Sequence, residues 1–188
     1  LLHGGEDVDL AAGLRATLPE MVAALRHIRN STRQMDTLLK GLLKLSRTGR
    51  AALLVGPVDM NALLAQVVAG LEFQVRESGA AVYLGDLPPC LGDEIQLGQV
   101  FQNLIGNALK FLAPARPGVV RISGSAERDR CVYCVADNGI GIAPEHQSII
   151  FELFHRLDPG RTEGEGLGLT IVRQILGRLD GHIELESQ

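Results

Sequence analysis

The feature that most limits how this chain can fold is a regular apolar seam near its start. Residues recur there at alternating spacings of four and three, which is typical of a helix face that packs against another helix. The seam comprises Met21, Leu25, Ile28, Thr32, Met35, Leu39, Leu42 and Ser46, of which six are apolar, and Leu38 and Leu45 widen it. A single helix cannot bury such a stripe alone. The pattern therefore favours a bundle, formed by a hairpin, a dimer or both, over a helix packed on its own domain.

A change of composition follows this helix. Residues 1–17 read as a loop, Thr17-Leu18-Pro19-Glu20 fits a capping box that starts the helix, and Arg47–Gly56 reads as a linker. We therefore predict two domains. The first covers 1–50 and consists mainly of one helix over about 18–48, and the second covers 51–188.

Strand and helix patterns alternate beyond the linker. Apolar alternation at period two predicts strands, apolar spacings of three and four predict helices, and Pro88-Pro89 breaks the chain. The predicted strands are Leu53–Val58, Ala81–Leu84, Val119–Ala126, Cys131–Ala136 and Ile183–Glu186, and the predicted helices run from Asp59 to about Ser78, from Asp93 onward and over Gly166–Leu179. This mixture predicts an α+β fold, a two-layer sandwich of a mixed sheet with helices on one face.

Charge and composition exclude several classes of function. The net charge of −4 does not favour nucleic-acid binding, and no apolar run approaches the roughly 18 residues of a membrane span. Cys131 and Cys134 lie three apart on a predicted strand, so their side chains point to opposite faces and do not predict a metal or redox pair. Reduced, partly buried cysteines of a cytosolic protein are the better interpretation.

Three further segments carry residues that suit a nucleotide. In the first, Asn103, Asn107 and Lys110 share one face of a predicted helix because they are spaced by four and three. Two amides and a cation among apolar residues are costly to bury unless a polar ligand covers them. Amide oxygens suit Mg²⁺ and lysine suits phosphate. An asparagine pair used for capping or packing is the alternative, and this stripe alone does not decide between them.

The second segment, Asp137-Asn-Gly139-Ile-Gly141-Ile142, directly follows an apolar strand. Its glycines let the backbone turn sharply and approach a flat ligand closely. The carboxylate at the strand end suits an exocyclic amine such as that of adenine. A tight turn with an aspartate cap remains the alternative for this segment alone.

The third segment, Gly164-Glu-Gly166-Leu167-Gly168-Leu169, opens an amphipathic helix. Glycines before a helix N-terminus present free backbone N–H groups to an anion. The dinucleotide-binding alternative needs this turn early in a βαβ unit, whereas here it comes about twenty residues before the end of the sequence. Upstream, Phe151 and Phe154 form an apolar anchor before a polar flap over 157–165. Arg156 and Arg161 are placed there to reach phosphate when the flap closes.

These segments, taken in order, resemble the N, G1, F and G2 boxes of the Bergerat-type ATP-binding fold shared by sensor histidine kinases, gyrase, Hsp90 and MutL. The match is close over about 93–182. The preceding helix indicates the branch, because Leu38-Leu39-Lys-Gly-Leu42-Leu43-Lys-Leu45-Ser46-Arg47 resembles the end of the second dimerisation helix of a histidine kinase. The stretch Gln99–Ile105 and the short flap resemble the phytochrome-related kinases.

The resemblance implies roles position by position. Asn107 would ligate Mg²⁺, Asn103 would lie beside the ion and the triphosphate as a second candidate ligand, and Lys110 would touch phosphate; these three would carry catalysis. Phe111 would border the adenine pocket, and Asp137 would accept a hydrogen bond from the adenine amine. The other predicted contacts with ATP are Gly139, Gly141, Ile142, Arg156, Gly164, Gly166, Leu167, Gly168 and Leu169. Two positions depart from the family: Glu165 stands where Thr or Ser is usual, and Leu112 replaces a small hydroxyl residue.

The function implied is that of the ATP-binding catalytic domain of a cytoplasmic sensor histidine kinase, C-terminally truncated and preceded by part of the dimerisation hairpin. The γ-phosphoryl group would pass to a histidine and then to an aspartate on a response regulator receiver domain, and the full-length protein would form a homodimer through the bundle. None of the five histidines has the acidic neighbour and the following hydrophobic-basic-x-Pro stretch of the family's phosphoacceptor. His27, on the right kind of helix, fits an exposed helix histidine better. We therefore expect the acceptor upstream of Leu1, or missing from the natural protein.

Two alternatives remain open at this point. A degenerate kinase acting as a scaffold is suggested by Glu165 and by the absent acceptor. An ATPase of the gyrase, Hsp90 and MutL kind needs a carboxylate to activate water, commonly a glutamate where this chain has Asn103, and an amide cannot act as that base.

Overall fold

The computed structural model describes residues 18, 20–32, 35–36, 39, 41, 43, 52–151 and 167–187. The chain forms two compact units, Leu1–Leu43 and Lys44–Gln188. The domain boundary that we predicted at residue 50 lies outside the described residues, as do Thr17 and Pro19 of the predicted capping box, so both stay predictions. No helix in the described ranges is long and apolar enough to cross a membrane.

The first unit contains the predicted seam helix, here called α1. Residues 20–32 are helical, and so are the other described residues as far as 43. The seam residues Met21, Leu25, Ile28, Met35 and Leu39 are each between 59% and 64% exposed. Thr32 donates its hydroxyl to the carbonyl of Ile28 over 2.9 Å, so this polar residue of the seam is satisfied within its own helix. The apolar seam residues that the structure describes are thus exposed, and their burial in a bundle stays a prediction.

The described residues of the second unit form ten elements. In chain order they are β1 (Gly56–Val58), α2 (Met60–Gly70), α3 (Glu72–Ser78), β2 (Ala81–Leu84), β3 (Cys90–Gly92), α4 (Glu94–Lys110), β4 (Val119–Ala126), β5 (Cys131–Asp137), α5 (Pro144–Gln147) and α6 (Gly168–Arg178). The central sheet has the order β2-β4-β5, with β2 parallel and β5 antiparallel to β4. A second, two-stranded sheet pairs β1 with β3 antiparallel.

The helices cover one face of the central sheet. On β4, Val120 and Ile122 are almost fully buried, while Arg121 and Ser123 between and after them are exposed. Helix α4 packs against β4 and β5 on the buried face and also contacts α2 and α6. One core of apolar side chains from these helices and strands results. The predicted α+β fold with a mixed sheet is confirmed.

Three predicted elements differ from the structure. The helix predicted from Asp59 to Ser78 is two helices, because Leu71, directly after Gly70, leaves helical geometry at φ −100° and is buried in the core. Strand β3 was not predicted, and the strand predicted at Leu53–Val58 covers only Gly56–Val58. Residues 183–186 form no strand.

Hydrogen bonding explains why residues 183–186 form no strand. Ile183, Leu185 and Ser187 are partly buried while Glu184 and Glu186 are exposed, so the alternation that we interpreted as a strand is real. A strand also requires a backbone ladder to a neighbour, and the described part of this segment forms none.

The cysteines of β5 follow the expected strand geometry. Cys131 is half-buried, with its Sγ 3.4 Å from the carbonyl oxygen of Pro89, whereas Cys134 is exposed. Their side chains thus belong to opposite faces of β5.

Candidate functional site

Helix α4 carries the first group of predicted site residues. Its N-cap is Asp93, whose Oδ1 accepts from the backbone N–H of Gln96 over 3.0 Å and whose Oδ2 accepts from that of Leu54 over 2.8 Å. Burial works to raise the pKa of Asp93, but these hydrogen bonds, a third from Ile95 and the charge of Arg178 outweigh it and hold the pKa below 3.8. A charged N-cap thus fixes the start of the helix and also ties residues 52–55 to it.

The two asparagines of α4 face the beginning of α6. An ideal Cβ added to Gly168 would lie 3.4 Å from Asn103 Oδ1 and 3.8 Å from Asn107 Nδ2. Asn103 donates its Nδ2 to the carbonyl of Gln99 over 2.9 Å, so its amide oxygen is the atom turned towards Gly168. The structure thus brings together residues that are about sixty positions apart in the sequence, and it places them at a helix N-terminus.

The C-terminal end of α4 connects this group to the turn after β5. Lys110 is exposed, and its Nζ lies 5.1 Å from the centroid of the Phe111 ring, within the range of a cation–π contact. The Phe111 N–H bonds to the carbonyl of Asn107 over 3.1 Å, and the Phe111 carbonyl accepts from the N–H of Ile140 over 2.9 Å. Phe111 is therefore the residue through which α4 contacts the second predicted segment.

The turn at Asp137–Gly139 is close-packed. Asp137 is exposed at the end of β5, and its Oδ1 accepts from the N–H of Gly139 over 2.8 Å. Gly139 itself is buried, and a Cβ there would collide with the Phe111 carbonyl oxygen and lie 2.6 Å from Asp137 Oδ1. Only glycine fits this position, because both neighbouring oxygens are already engaged in hydrogen bonds.

The next residues of the turn depend on a different glycine property. Gly141 has φ +72°, a left-handed conformation that a side chain would strain. The N–H of Ile142 bonds to Ser187 Oγ over 2.8 Å, and its carbonyl accepts from Gln147 Nε2 over 2.9 Å. Ile142 is thus joined to the segment that follows α6.

The third predicted segment is described only in part. Leu167 is fully buried, while Gly168 and Leu169 are half-buried in the first turn of α6. Thr170, one residue further, donates its hydroxyl to the carbonyl of Phe151 over 3.2 Å. Arg156, Arg161, Gly164, Glu165 and Gly166 lie outside the described residues, so their predicted roles stay predictions.

One residue that contacts the turn after Asp137 was not predicted from the sequence. Arg116, in the loop between α4 and β4, donates from Nε to the carbonyl of Asn138 over 2.7 Å and from Nη2 to the carbonyl of Gly139 over 2.6 Å. A lone arginine in a proline-containing loop matches no motif. No signal in the sequence marked it.

Comparison with known proteins shows the family of this chain. A family model described as "Histidine kinase-, DNA gyrase B-, and HSP90-like ATPase" matches residues 92–188, just over half of the chain. This chain belongs to that family. Within the family, its relatives identify the second unit as the ATP-binding catalytic domain of a sensor histidine kinase.

The relatives include a phytochrome-like protein and a phosphate regulon sensor protein. The chain is 36% identical over 154 residues to the phytochrome-like protein Cph1 of Synechocystis sp., which covers 81% of this chain and 20% of that protein. It is 32% identical over 195 residues to the phosphate regulon sensor protein PhoR of Pseudomonas aeruginosa, covering all of this chain and 41% of the relative. The chain therefore spans about a fifth of the length of the first curated relatives.

Solved structures agree with the fold. Full-length ShkA in complex with AMPPNP has a TM-score of 0.65 and 33% identity, covering 86% of this chain and 34% of that one. The Acinetobacter baumannii histidine kinase AdeS has the same TM-score at 22% identity and supports the fold alone.

Proposed function

We propose that the second unit binds ATP with Mg²⁺ and donates the γ-phosphoryl group to a histidine that lies outside this sequence. The phosphoryl group would then pass to an aspartate on a response regulator receiver domain. The observation that carries the proposal is the proximity of Gly168 to the side chains of Asn103 and Asn107, together with the Phe111–Ile140 hydrogen bond. Both join the separate sequence segments into one site, which is what a nucleotide spanning them requires.

Asp137 is the residue we assign to the adenine base. Its Oδ1 is held by the N–H of Gly139, and the carboxylate remains exposed at the end of β5. A carboxylate is acceptor-only, so it suits the exocyclic amine of adenine and discriminates against a base with an acceptor in that place. Phe111 borders this position through its backbone contact with Ile140.

The triphosphate is assigned to the space between α4 and the N-terminus of α6. The backbone N–H groups of Gly168 and Leu169 lie in the first turn of α6, where no intrahelical acceptor exists for them. Lys110 contributes positive charge at the end of α4. Catalysis would rest on positioning and on stabilisation of charge, as is usual in phosphoryl transfer.

The residues present also fit Mg²⁺. The metal prefers oxygen ligands and usually keeps several waters beside one or two protein ligands and the phosphates. Asn103 turns its amide oxygen towards Gly168, because its amide nitrogen is occupied by the Gln99 carbonyl. Asn107, whose Nδ2 is the amide atom nearest to Gly168, is the ligand that we assign first, and its Oδ1 would have to turn towards the ion to bind it. Bound there, the ion would neutralise charge on the phosphates during transfer.

The remaining proposals concern the whole protein. We expect a homodimer built through the apolar seam of α1, because that face has no cover within the described residues. We expect the catalytic unit to work in the cytoplasm, where its substrate ATP is found.

The pocket assignment is tested by calorimetric titration of ATP with Mg²⁺ into the wild-type chain and into Asp137→Asn. The substitution replaces an acceptor by a group that also donates, so we expect ATP affinity to fall about tenfold or more, the value of a lost hydrogen bond to a charged group. Asp129→Asn is the matched control, because Asp129 is exposed in the turn at the opposite end of β5. Unchanged affinity in Asp137→Asn would refute the assignment.

Transfer is tested in the full-length protein. Incubation with ATP should produce phosphate on the protein that is stable in alkali and labile in acid, as phosphohistidine is. Absence of that product from a preparation that binds ATP would leave the binding assignment intact and contradict the kinase activity.

A further inference from the structure

The guanidinium of Arg116 makes a two-pronged contact with the turn that follows Asp137. Nε donates to the carbonyl of Asn138 over 2.7 Å and Nη2 to the carbonyl of Gly139 over 2.6 Å. Both hydrogen bonds are short and charge-assisted, and the planar fork holds two successive carbonyls at a fixed separation. Lysine offers only a point charge and cannot reproduce that geometry.

The loop that carries Arg116 is itself held in place. Pro114 and Pro117 restrict the backbone on both sides of Arg116. Leu112 packs so closely on Gly118 that a Cβ there would lie 2.6 Å from Leu112 Cδ1. Arg116 therefore projects from a constrained loop, so its two hydrogen bonds fix where the turn lies relative to that loop.

Asn138 bonds the same loop and turn together from the other side. Its Oδ1 accepts from the N–H of Val119 over 2.8 Å, and its Nδ2 donates to the carbonyl of Pro117 over 2.8 Å. Its own N–H bonds to the carbonyl of Val119 over 3.2 Å. The Gly139 N–H bonds to Asp137 Oδ1 and the Ile140 N–H to the Phe111 carbonyl. Together with the two carbonyls held by Arg116, each backbone polar group from the Asn138 N–H to the Ile140 N–H therefore has a partner.

We propose that Arg116 is a positioning residue of the nucleotide site: it fixes the Asn138–Gly139 backbone so that Asp137 is preset for the adenine amine before ATP arrives. The inference rests on the proposed function, because it acts through the role assigned to Asp137. A turn that is preset loses no affinity to rearrangement, whereas a turn that is competent a tenth of the time binds about ten times more weakly. If Arg116 only stabilised the loop, the affinity lost on its replacement would not depend on which base the nucleotide carries.

The experiment titrates the whole 188-residue chain with ATP and with purine riboside 5′-triphosphate, which lacks the 6-amino group. The variants are Arg116→Ala, Arg116→Lys, Asp137→Asn and the double variant Arg116→Ala/Asp137→Asn. Arg128→Ala, at an exposed arginine of the β4–β5 turn, is the matched control. Thermal unfolding of each variant is recorded beside the titrations.

We expect Arg116→Ala to weaken ATP about tenfold and the deaminated analogue less than twofold. In the Asp137→Asn background, Arg116→Ala should change ATP affinity less than twofold, since the group that it positions is gone. Arg116→Lys should recover part of the loss, and guanidinium ion at millimolar concentration should restore Arg116→Ala where equal sodium chloride does not.

Equal losses for both nucleotides, or additive losses in the double variant, would overturn the positioning role. If Arg116→Ala fails to fold, Arg116→Lys is judged by the same two criteria. The proposed function fails separately, by a wild-type chain that does not bind ATP or by an Asp137→Asn variant that binds it as well as wild type. Wild-type affinity in Arg116→Ala, beside a loss in Asp137→Asn, contradicts only the inference about Arg116.

Discussion

Replacing Gly139 by alanine adds one methyl group at the most crowded point of the candidate site. The new Cβ would collide with the Phe111 carbonyl oxygen and lie 2.6 Å from Asp137 Oδ1. Neither oxygen is the end of a flexible side chain that can move freely. The Phe111 carbonyl is fixed by the N–H of Ile140, and Asp137 Oδ1 is fixed by the N–H of Gly139 itself.

The cost follows from what must move. Relieving the two contacts breaks or stretches two hydrogen bonds, each contributing about 1 kcal/mol, and overpacking a filled site adds about 1 kcal/mol or more. We therefore expect Gly139→Ala to lower the free energy of unfolding by roughly 2–4 kcal/mol. Because the methyl group displaces Asp137, ATP affinity should fall at least as far as in Asp137→Asn.

Urea unfolding and calorimetric titration of ATP measure the two effects. The matched control is Gly177→Ala, on the exposed side of α6, where a Cβ meets nothing within 4 Å. That substitution should raise stability by about 0.5–1 kcal/mol, since alanine favours helix over glycine, and leave ATP binding unchanged. Wild-type stability and affinity in Gly139→Ala would refute the close packing on which the site is argued.

Three further substitutions test separate features. Tyr133→Phe removes the 2.6 Å hydrogen bond from the hydroxyl to the Pro88 carbonyl and should cost about 1 kcal/mol in urea unfolding. Asp93→Asn keeps the helix cap but replaces the acceptor of the Leu54 N–H, so it should cost about 1.5–3 kcal/mol at pH 7. Because the folded-state pKa of Asp93 lies below 3.8, that difference should be complete above pH 3.8 and shrink as the pH falls through the folded-state pKa. Gly168→Ala, whose Cβ would make only ordinary contacts with the α4 asparagines, should keep stability within about 0.5 kcal/mol. Its ATP affinity should fall roughly tenfold, because the added methyl group would occupy space that we assign to the triphosphate and weaken a charge-assisted hydrogen bond to it.

Elements with strong local signals were predicted closely. Helix α4 begins after the Asp93 N-cap, as expected, because a capping side chain and apolar periodicity agree there. The strands β4 and β5 were predicted too, and the hairpin between them turns at Glu127–Arg130, where the Glu127 N–H bonds to the Arg130 carbonyl over 2.8 Å and Arg130 Nε donates to Glu127 Oε2 over 2.6 Å. These elements are determined by residues that are close together in the sequence, so a local sequence pattern can predict them.

Elements decided by distant partners were not predicted. Strand β3 has three residues after two prolines, and it exists because β1 pairs with it in the register Pro57 to Leu91. The break at Leu71 serves burial of one side chain in a core that forms from the whole unit. Neither choice leaves a periodic trace long enough to recognise.

The residues of the candidate site also fall into those that a local pattern predicts and those that depend on distant partners. The asparagines, Asp137 and the glycines could be predicted because they belong to short sequence motifs. The fork of Arg116 depends on where the loop between α4 and β4 lies relative to a turn twenty-two residues further along. Its role could be found only once the backbone carbonyls of that turn had positions in space.

The side chain of Asn103 bears on whether the site is suited to ATP hydrolysis or to phosphoryl transfer. Its amide nitrogen donates to the Gln99 carbonyl, which turns the oxygen towards Gly168. An amide oxygen has negligible basicity at neutral pH, so it cannot take a proton from an attacking water, as the glutamate of an ATPase would. It can, however, ligate a hard cation or orient a polar group. An amide at this position therefore fits the proposed role of Asn103 as a ligand better than a role as a base, and it is consistent with the proposed transfer to a histidine from outside the pocket.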